Sequence, residues 1–325
     1  GTGGNGISLA ALLPAGQTGA TRVGKDTCGG CHGPAKATEG DVDKLTTFNE
    51  TMHAKNGIEC EDCHGPGSNH VNGDPGLRKS TILTFPNIAS PLVCAQCHSA
   101  VTRQAGEPLD QYDEWVASKH DGVVADAVNS AGRYGTCMNC HADWKRVQEL
   151  EEGQPLTEEE IAHITETAEE AEEGAGPFHT ASCAVCHDPH GKHPENALHN
   201  GEDKQLRPRP NQILTAANYA TSPIGFSAAV ASYSTFDHVC AECHNARGVD
   251  PSDAKLQSST YRPSMHDSNQ FNMLMGFGGS EADLAVPNDK RASAHRDVAD
   301  QCVGCHMSQG HAMVAGNQGC TGTGG

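Results

Sequence analysis

Apolar residues fall at helical spacing most clearly between Thr157 and about Glu172, where Ile161, Ile164, Ala168 and Ala171 form one stripe and predict a helix. Thr157 stands at its N-cap, and Glu160 occupies the capping-box position three residues on. At the other end Glu169, Glu170, Glu172 and Glu173 oppose the helix dipole, so the last turn is expected to fray. No apolar run approaches the ~18 residues of a membrane span, so the chain is not expected to be an integral membrane protein. The expected fold is loop-rich, with few short α-helices and little β.

Composition sharpens this picture. Of 325 residues only 36% are hydrophobic and 4% aromatic, while 37 are Gly and 17 Pro, so side chains alone cannot build an ordinary apolar core of matching size. Something else must fill the interior. A disordered tether would share the low hydrophobicity, but it would not need 15 cysteines and 19 histidines.

Fourteen of the fifteen cysteines fall into seven copies of one pattern. The copies are Cys28, Cys31, His32; Cys60, Cys63, His64; Cys94, Cys97, His98; Cys137, Cys140, His141; Cys183, Cys186, His187; Cys240, Cys243, His244; and Cys302, Cys305, His306. The C-x-x-C-H unit is the attachment signal for c-type haem: two thiols become thioethers to the porphyrin and the adjacent imidazole ligates the iron. Zinc sites would use such pairs in twos, which seven copies cannot satisfy evenly, and redox dithiols do not require the trailing histidine. Seven haem c groups, roughly one per 46 residues, supply the apolar surface the sequence lacks and tie down long loops.

The identity of the sixth iron ligand separates a carrier from a catalyst. Beyond the seven motif histidines the chain holds twelve more, which exceeds the number needed. Eight have favourable contexts as distal ligands: His53, His70, His120, His179, His190, His266, His295 and His311. His190, three residues after His187, is too near to reach the far face of its own porphyrin and is expected to ligate a neighbouring one. His163, on the acidic helix, reads as solvent-facing; His193, His199 and His238 stand in reserve. Met52, Met265 and Met313 are the competing sulfur ligands and would raise the potential of the haem that used them.

The chain resembles the multihaem c-type cytochromes along most of its length. CxxCHxxH at Cys183 to His190, the stretch from Cys63 to His70, and the closing stretch from Cys302 to His311 look like segments of bis-histidine electron-transfer members. Within that group it is most similar to the polymerising extracellular cytochromes, or cytochrome nanowires. That resemblance implies haems stacked in a continuous chain, a head-to-tail homopolymer with a ligand supplied across the subunit boundary, redox-partner cytochromes, and extracellular metal or mineral acceptors. The best-known bacterial filaments carry four, six or eight haems, and this chain has seven motifs. A discrete periplasmic or cell-surface carrier would use the same ligands without self-association. A multihaem nitrite or hydroxylamine-type oxidoreductase would need an open iron position, and often a motif ending in lysine, whereas all seven motifs here end in His. No catalytic residue is assigned.

Covalent haem attachment takes place outside the cytoplasm, so the expected location is extracellular or at the cell surface, with the periplasm as the alternative. A formal charge of −19 argues against nucleic acid as a partner. Eleven Glu between Glu149 and Glu173 concentrate much of that charge, and this stretch reads as a solvated insertion. The organisation expected is a flexible Gly-rich segment over 1–24, four haems over 25–148, an acidic helical insertion over 149–176, three haems over 177–312 and a Gly-rich tail over 313–325. The start, Gly1 to Gly6, reads as a trimmed N-terminus. Cys320 has neither a partner cysteine nor a following histidine; a surface thiol and an intermolecular disulfide both fit it.

Overall fold

The computed structural model describes residues 8–37, 43–100, 110–122, 143–152, 156–157, 159–160, 181–194, 200–207, 238–241, 243–244, 270, 300–307 and 310–313. The described residues form short helices joined by turns and loops and contain no β-strand, the architecture expected from the sequence. In order these are α1 (Lys25–His32), α2 (Pro34–Ala37), α3 (Lys44–Asn49), α4 (Met52–Lys55), α5 (Cys60–His64), α6 (Ser68–Asn72), α7 (Leu92–His98) and α8 (Gln111–Val116). The helices Asp143–Glu152, Cys183–Cys186, His238–Ala241 and Gln301–His306 follow, with 3-10 turns between several of them. None of the helices among the described residues is long and apolar enough to cross a membrane.

Two units divide the chain. The first comprises Gly1–Lys192 and Gln309–Val314, the second His193–Ser308 and Ala315–Gly325. Among the described residues of the first, two small clusters of buried apolar side chains are formed. Leu12, Leu83 and Val93 form one, and Ala89, Val147, Leu156 and Val185 the other. In the second, the described residues include the sixth and seventh motifs.

Local chemistry sets the short helices. Asp43 caps α3 by accepting from the Thr46 N–H at 2.9 Å, and Thr51 caps α4 by accepting from Ala54 at 3.2 Å. A capping box between Glu59 and Asp62 starts α5, and Gly65, at φ 74°, stops it. Every described attachment motif lies on a helix or at its end. A helical turn puts residues i, i+3 and i+4 on one face, so in the motifs that are helical throughout, those beginning at Cys28, Cys60, Cys94 and Cys302, both thiols and the imidazole address one side.

Two expected segments turn out to be anchored. Within 1–24, residues from Ser8 onward are ordered: Leu12 and Gln17 are buried, and Gln17 Nε2 donates to the carbonyls of His64 and Pro66, both at 2.9 Å. The acidic stretch from 149 is likewise tied in at its start, because the helix Asp143–Glu152 runs through it. Glu149 receives Lys145 Nζ at 2.6 Å and the Leu156 N–H at 3.1 Å, and Leu156 is buried. The capping-box bonds between Thr157 and Glu160 are present. Glu160 Oε2 accepts from the Thr157 N–H at 2.8 Å, and Thr157 Oγ1 accepts from the Glu160 N–H at 3.3 Å. Residues 161–172 of that helix lie outside the described residues.

Candidate functional site

Among the described residues of the first unit, four pairs of imidazole rings lie opposite one another. His32 and His70 have ring centres 6.4 Å apart, His64 and His190 6.1 Å, His53 and His98 6.1 Å, and His187 and His311 6.0 Å. Each pair joins one motif histidine to one histidine outside the motifs. The rings are near parallel at 19° and 23° in the first two pairs, tilted at 38° in His187–His311, and near perpendicular at 86° in His53–His98.

The separation fits an iron between the rings. Two metal–nitrogen bonds of about 2.0 Å set the nitrogens about 4 Å apart, and each ring centre lies roughly 1 Å beyond its nitrogen, giving about 6 Å. A direct imidazole stack or hydrogen bond would draw the rings closer.

Several of these rings are oriented by oxygen acceptors at Nδ1, which leaves Nε2 as the ligating atom. His64 Nδ1 meets the Leu83 carbonyl at 2.8 Å, His70 Nδ1 the Arg78 carbonyl at 3.0 Å, and His98 Nδ1 the Gln111 Oε1 at 3.3 Å. His190 Nδ1 meets a carboxylate instead, Glu151 Oε2 at 3.1 Å. Burial, reinforced by the neighbouring His190 ring, pushes His64 down to about 4, and burial lowers His53 and His311 as well. Such imidazoles stay neutral near pH 7 and keep a lone pair for a metal.

The attachment cysteines approach one another between motifs. Cys60 is the leading cause of a raised Cys28 thiol, and Cys183 of a raised Cys94 thiol, so each pair lies close together. Burial, together with the charges of Asp62, Cys97 and Cys60, raises the Cys63 thiol to about 11.

The helix α8 links two motifs. Gln111 faces His98, and Asp113 Oδ2 accepts from Ser99 Oγ at 3.0 Å and the Ala100 N–H at 2.6 Å just after α7. Glu114 Oε2 accepts from the His311 N–H at 2.8 Å. Trp115, 3% exposed, donates through Nε1 to the Ala181 carbonyl at 2.8 Å, two residues before Cys183. Sequence reasoning missed this helix; only the length of the apolar Trp115 side chain in a polar stretch hinted at it.

Two curated proteins resemble the chain. It is 27% identical over 185 residues to "Multiheme cytochrome MtrA" of Shewanella baltica, covering 54% of this chain and 49% of that protein. It is 26% identical over 134 residues to "C-type polyheme cytochrome OmcC" of Geobacter sulfurreducens, covering 39% of this chain and 15% of that protein. The chain is thus similar to multihaem c-type cytochromes. The matched region spans about half the length of the first relative and a smaller share of the second. No family model and no solved structure matches the chain.

Of the eight distal histidines expected, the structure sets His53, His70, His190 and His311 opposite motif histidines. His190 faces His64 rather than its own motif, and His311, which follows the seventh motif in sequence, faces His187 of the fifth. His120 lies in the turn Lys119–Asp121, where its carbonyl accepts from the Ala181 N–H at 3.2 Å. His179, His266 and His295 lie outside the described residues, as do Cys137, Cys140, His141, His163, His199, Met265 and Cys320. His238 opens the helix His238–Ala241, His193 is described in the second unit, and Met52 is exposed.

Proposed function

We propose that the chain moves electrons one at a time along covalently bound haems, each closed by two histidines. The observation that carries this reading is the set of four imidazole pairs, each spaced for an intervening iron and each uniting a motif histidine with a distant one. His32 with His70, His64 with His190, His98 with His53, and His187 with His311 hold the groups attached at the first, second, third and fifth motifs. His120, His179, His266 and His295 are the reserve from which the groups at His141, His244 and His306 draw their second ligands. When bound, each haem iron cycles between ferric and ferrous by accepting and releasing one electron.

The cysteine contacts support close packing. Cys28 against Cys60 brings the attachment edges of motifs one and two together, and Cys94 against Cys183 does the same for motifs three and five. A path through motifs one, two, three and five therefore need not follow sequence order. Filling both axial positions with histidine leaves no open iron for substrate, which favours transfer over catalysis.

Single substitutions His53→Ala, His70→Ala, His190→Ala and His311→Ala test this. Each is expected to convert about one seventh of the haem from low-spin to high-spin in the absorption and electron paramagnetic resonance spectra. Unchanged spectra in all four would overturn the ligand assignment.

The finer reading is a subunit of an extracellular cytochrome filament that delivers electrons to metal or mineral acceptors. It is supported by the resemblance of the Cys183 to His190 and Cys302 to His311 stretches to bis-histidine electron-transfer cytochromes, and of the chain as a whole to the polymerising extracellular ones. A head-to-tail contact that does not close on itself builds a filament from one interface. Electron microscopy of the native protein is expected to show ordered filaments. Single particles with low-spin haem would replace this with a discrete periplasmic or cell-surface carrier.

A further inference from the structure

Among the paired imidazoles His190 has a carboxylate oxygen 3.1 Å from Nδ1, while at His311 the Glu114 Oε2 is 3.7 Å from Nδ1. His64, His70 and His98 face neutral oxygens, whereas His190 faces the Glu151 carboxylate at 3.1 Å. Glu151 is nearly buried, with its side chain 9% exposed, and lies in the last turn of the helix Asp143–Glu152. An acidic residue there opposes the helix dipole, so the dipole does not account for its placement. Lys44 reaches the same oxygen, Nζ to Oε2 2.5 Å, from the first residue of α3. Asp188 is engaged separately, its Oδ1 accepting from the His190 backbone N–H at 2.8 Å and shaping the loop that carries the ring.

Glu151, Asp188 and His190 lie close enough together to hold a cation. Two features argue for a different role. The ammonium of Lys44 already sits on the shared carboxylate oxygen. A carboxylate can only accept, so its bond to His190 requires a protonated Nδ1, which has no lone pair to give a second metal.

We propose that Glu151 is a positioning residue that lowers the redox potential of the haem held by His64 and His190, and that Lys44 moderates this effect. The inference rests on the ligand pairing proposed above. By drawing the Nδ1 proton toward itself, the Glu151 carboxylate raises electron density at Nε2, and a more basic imidazole favours ferric over ferrous iron. Its charge acts in the same direction, strongly so in a site largely closed to water. Lys44 neutralises part of that charge and withdraws part of the hydrogen bond, so the two side chains pull the potential in opposite directions.

The test uses the fully haem-loaded protein. Electrochemical titration monitored by electron paramagnetic resonance is run on the wild type, His190→Met, Glu151→Gln, Glu151→Asp and Lys44→Gln. His190→Met identifies the couple belonging to this haem. In Glu151→Gln that couple, and no other, is expected to shift toward ferrous by about tenfold in the ferrous/ferric ratio at fixed applied potential, about 59 mV for a one-electron step. Lys44→Gln is expected to move the same couple the opposite way, and Glu151→Asp to restore most of the wild-type value. All variants except His190→Met are expected to retain the wild-type low-spin spectrum.

An unmoved couple in Glu151→Gln, with the low-spin spectrum intact, would overturn the proposal. So would a shift spread over all couples, or a Lys44→Gln shift in the same direction as Glu151→Gln. If His190→Met leaves every couple unchanged, the ligand pairing itself fails, which is a separate result from failure of the Glu151 effect.

Discussion

Glu61 sits inside the second attachment motif, yet its carboxylate serves the first. Oε1 accepts from the N–H groups of Val23 at 2.9 Å and Gly67 at 2.7 Å, and Oε2 from Gly24 at 2.9 Å and Val23 at 3.1 Å. These bonds join the entry of α1, the middle of α5 and the entry of α6, and so fix the two helices whose cysteines Cys28 and Cys60 touch. Arg22 adds ion pairs to Glu59, Glu61 and Asp62, but its side chain is half exposed and contributes little. Replacing Glu61 with Gln keeps the shape and one accepting oxygen. The amide NH2 then confronts the Gly24 N–H, stranding a buried donor at about 1–3 kcal/mol, and the remaining bonds lose their charge assistance. The expected loss is about 2–4 kcal/mol. Burial pushes the Glu61 carboxyl up, but the three backbone N–H groups and Arg22 outweigh it and hold the carboxyl below its ordinary value. The stabilisation is therefore complete above the unfolded carboxyl value of about 4.3 and disappears as pH falls below it through the folded value. Denaturant midpoints read from Soret circular dichroism, for wild type and Glu61→Gln, measure the difference at pH 7 and on stepping down to pH 3. Equal midpoints at pH 7, or a difference that does not shrink in acid, would refute the reasoning.

Leu83 is 1% exposed and anchors the small cluster with Leu12 and Val93, so Leu83→Ala is expected to cost about 2–5 kcal/mol in the same unfolding assay. Because its carbonyl, not its side chain, orients His64, the low-spin haem content should not change. If His53 and His98 hold one iron as proposed, their perpendicular rings would donate equally into two of its d orbitals and leave them nearly degenerate, whereas parallel pairs would split them. One strongly anisotropic electron paramagnetic resonance signal is expected beside more rhombic ones, and His53→Ala should remove it. Persistence of that signal in the variant would reject the pairing.

Much of the chemistry was legible because it is written in covalent spacing. Two thiols and an imidazole at i, i+3 and i+4 address one porphyrin whatever the surrounding fold, so the motifs can be read without coordinates. The surplus of histidines and the loop-rich architecture followed from the same reading. Thr157 and Glu160 were legible for a similar reason: a capping box is closed within four residues, and its bonds are present.

Pairing was not legible, because it depends on loop paths rather than local spacing. His311 lies five residues after His306 but faces His187, and His53 lies between the first two motifs but faces His98 of the third. The anchoring of residues 8–24 and of the start of the acidic stretch escaped for the same reason, since Gln17 and Glu149 are held by partners that no periodicity marks. The sequence by itself determined the repeated spacing of two thiols and an imidazole and the scarcity of apolar side chains, since both are properties of the chain. Only the tertiary structure decided which imidazoles oppose one another, which thiols touch and that Glu151 meets His190. Those are distances between segments far apart in sequence, set by how the loops close in space.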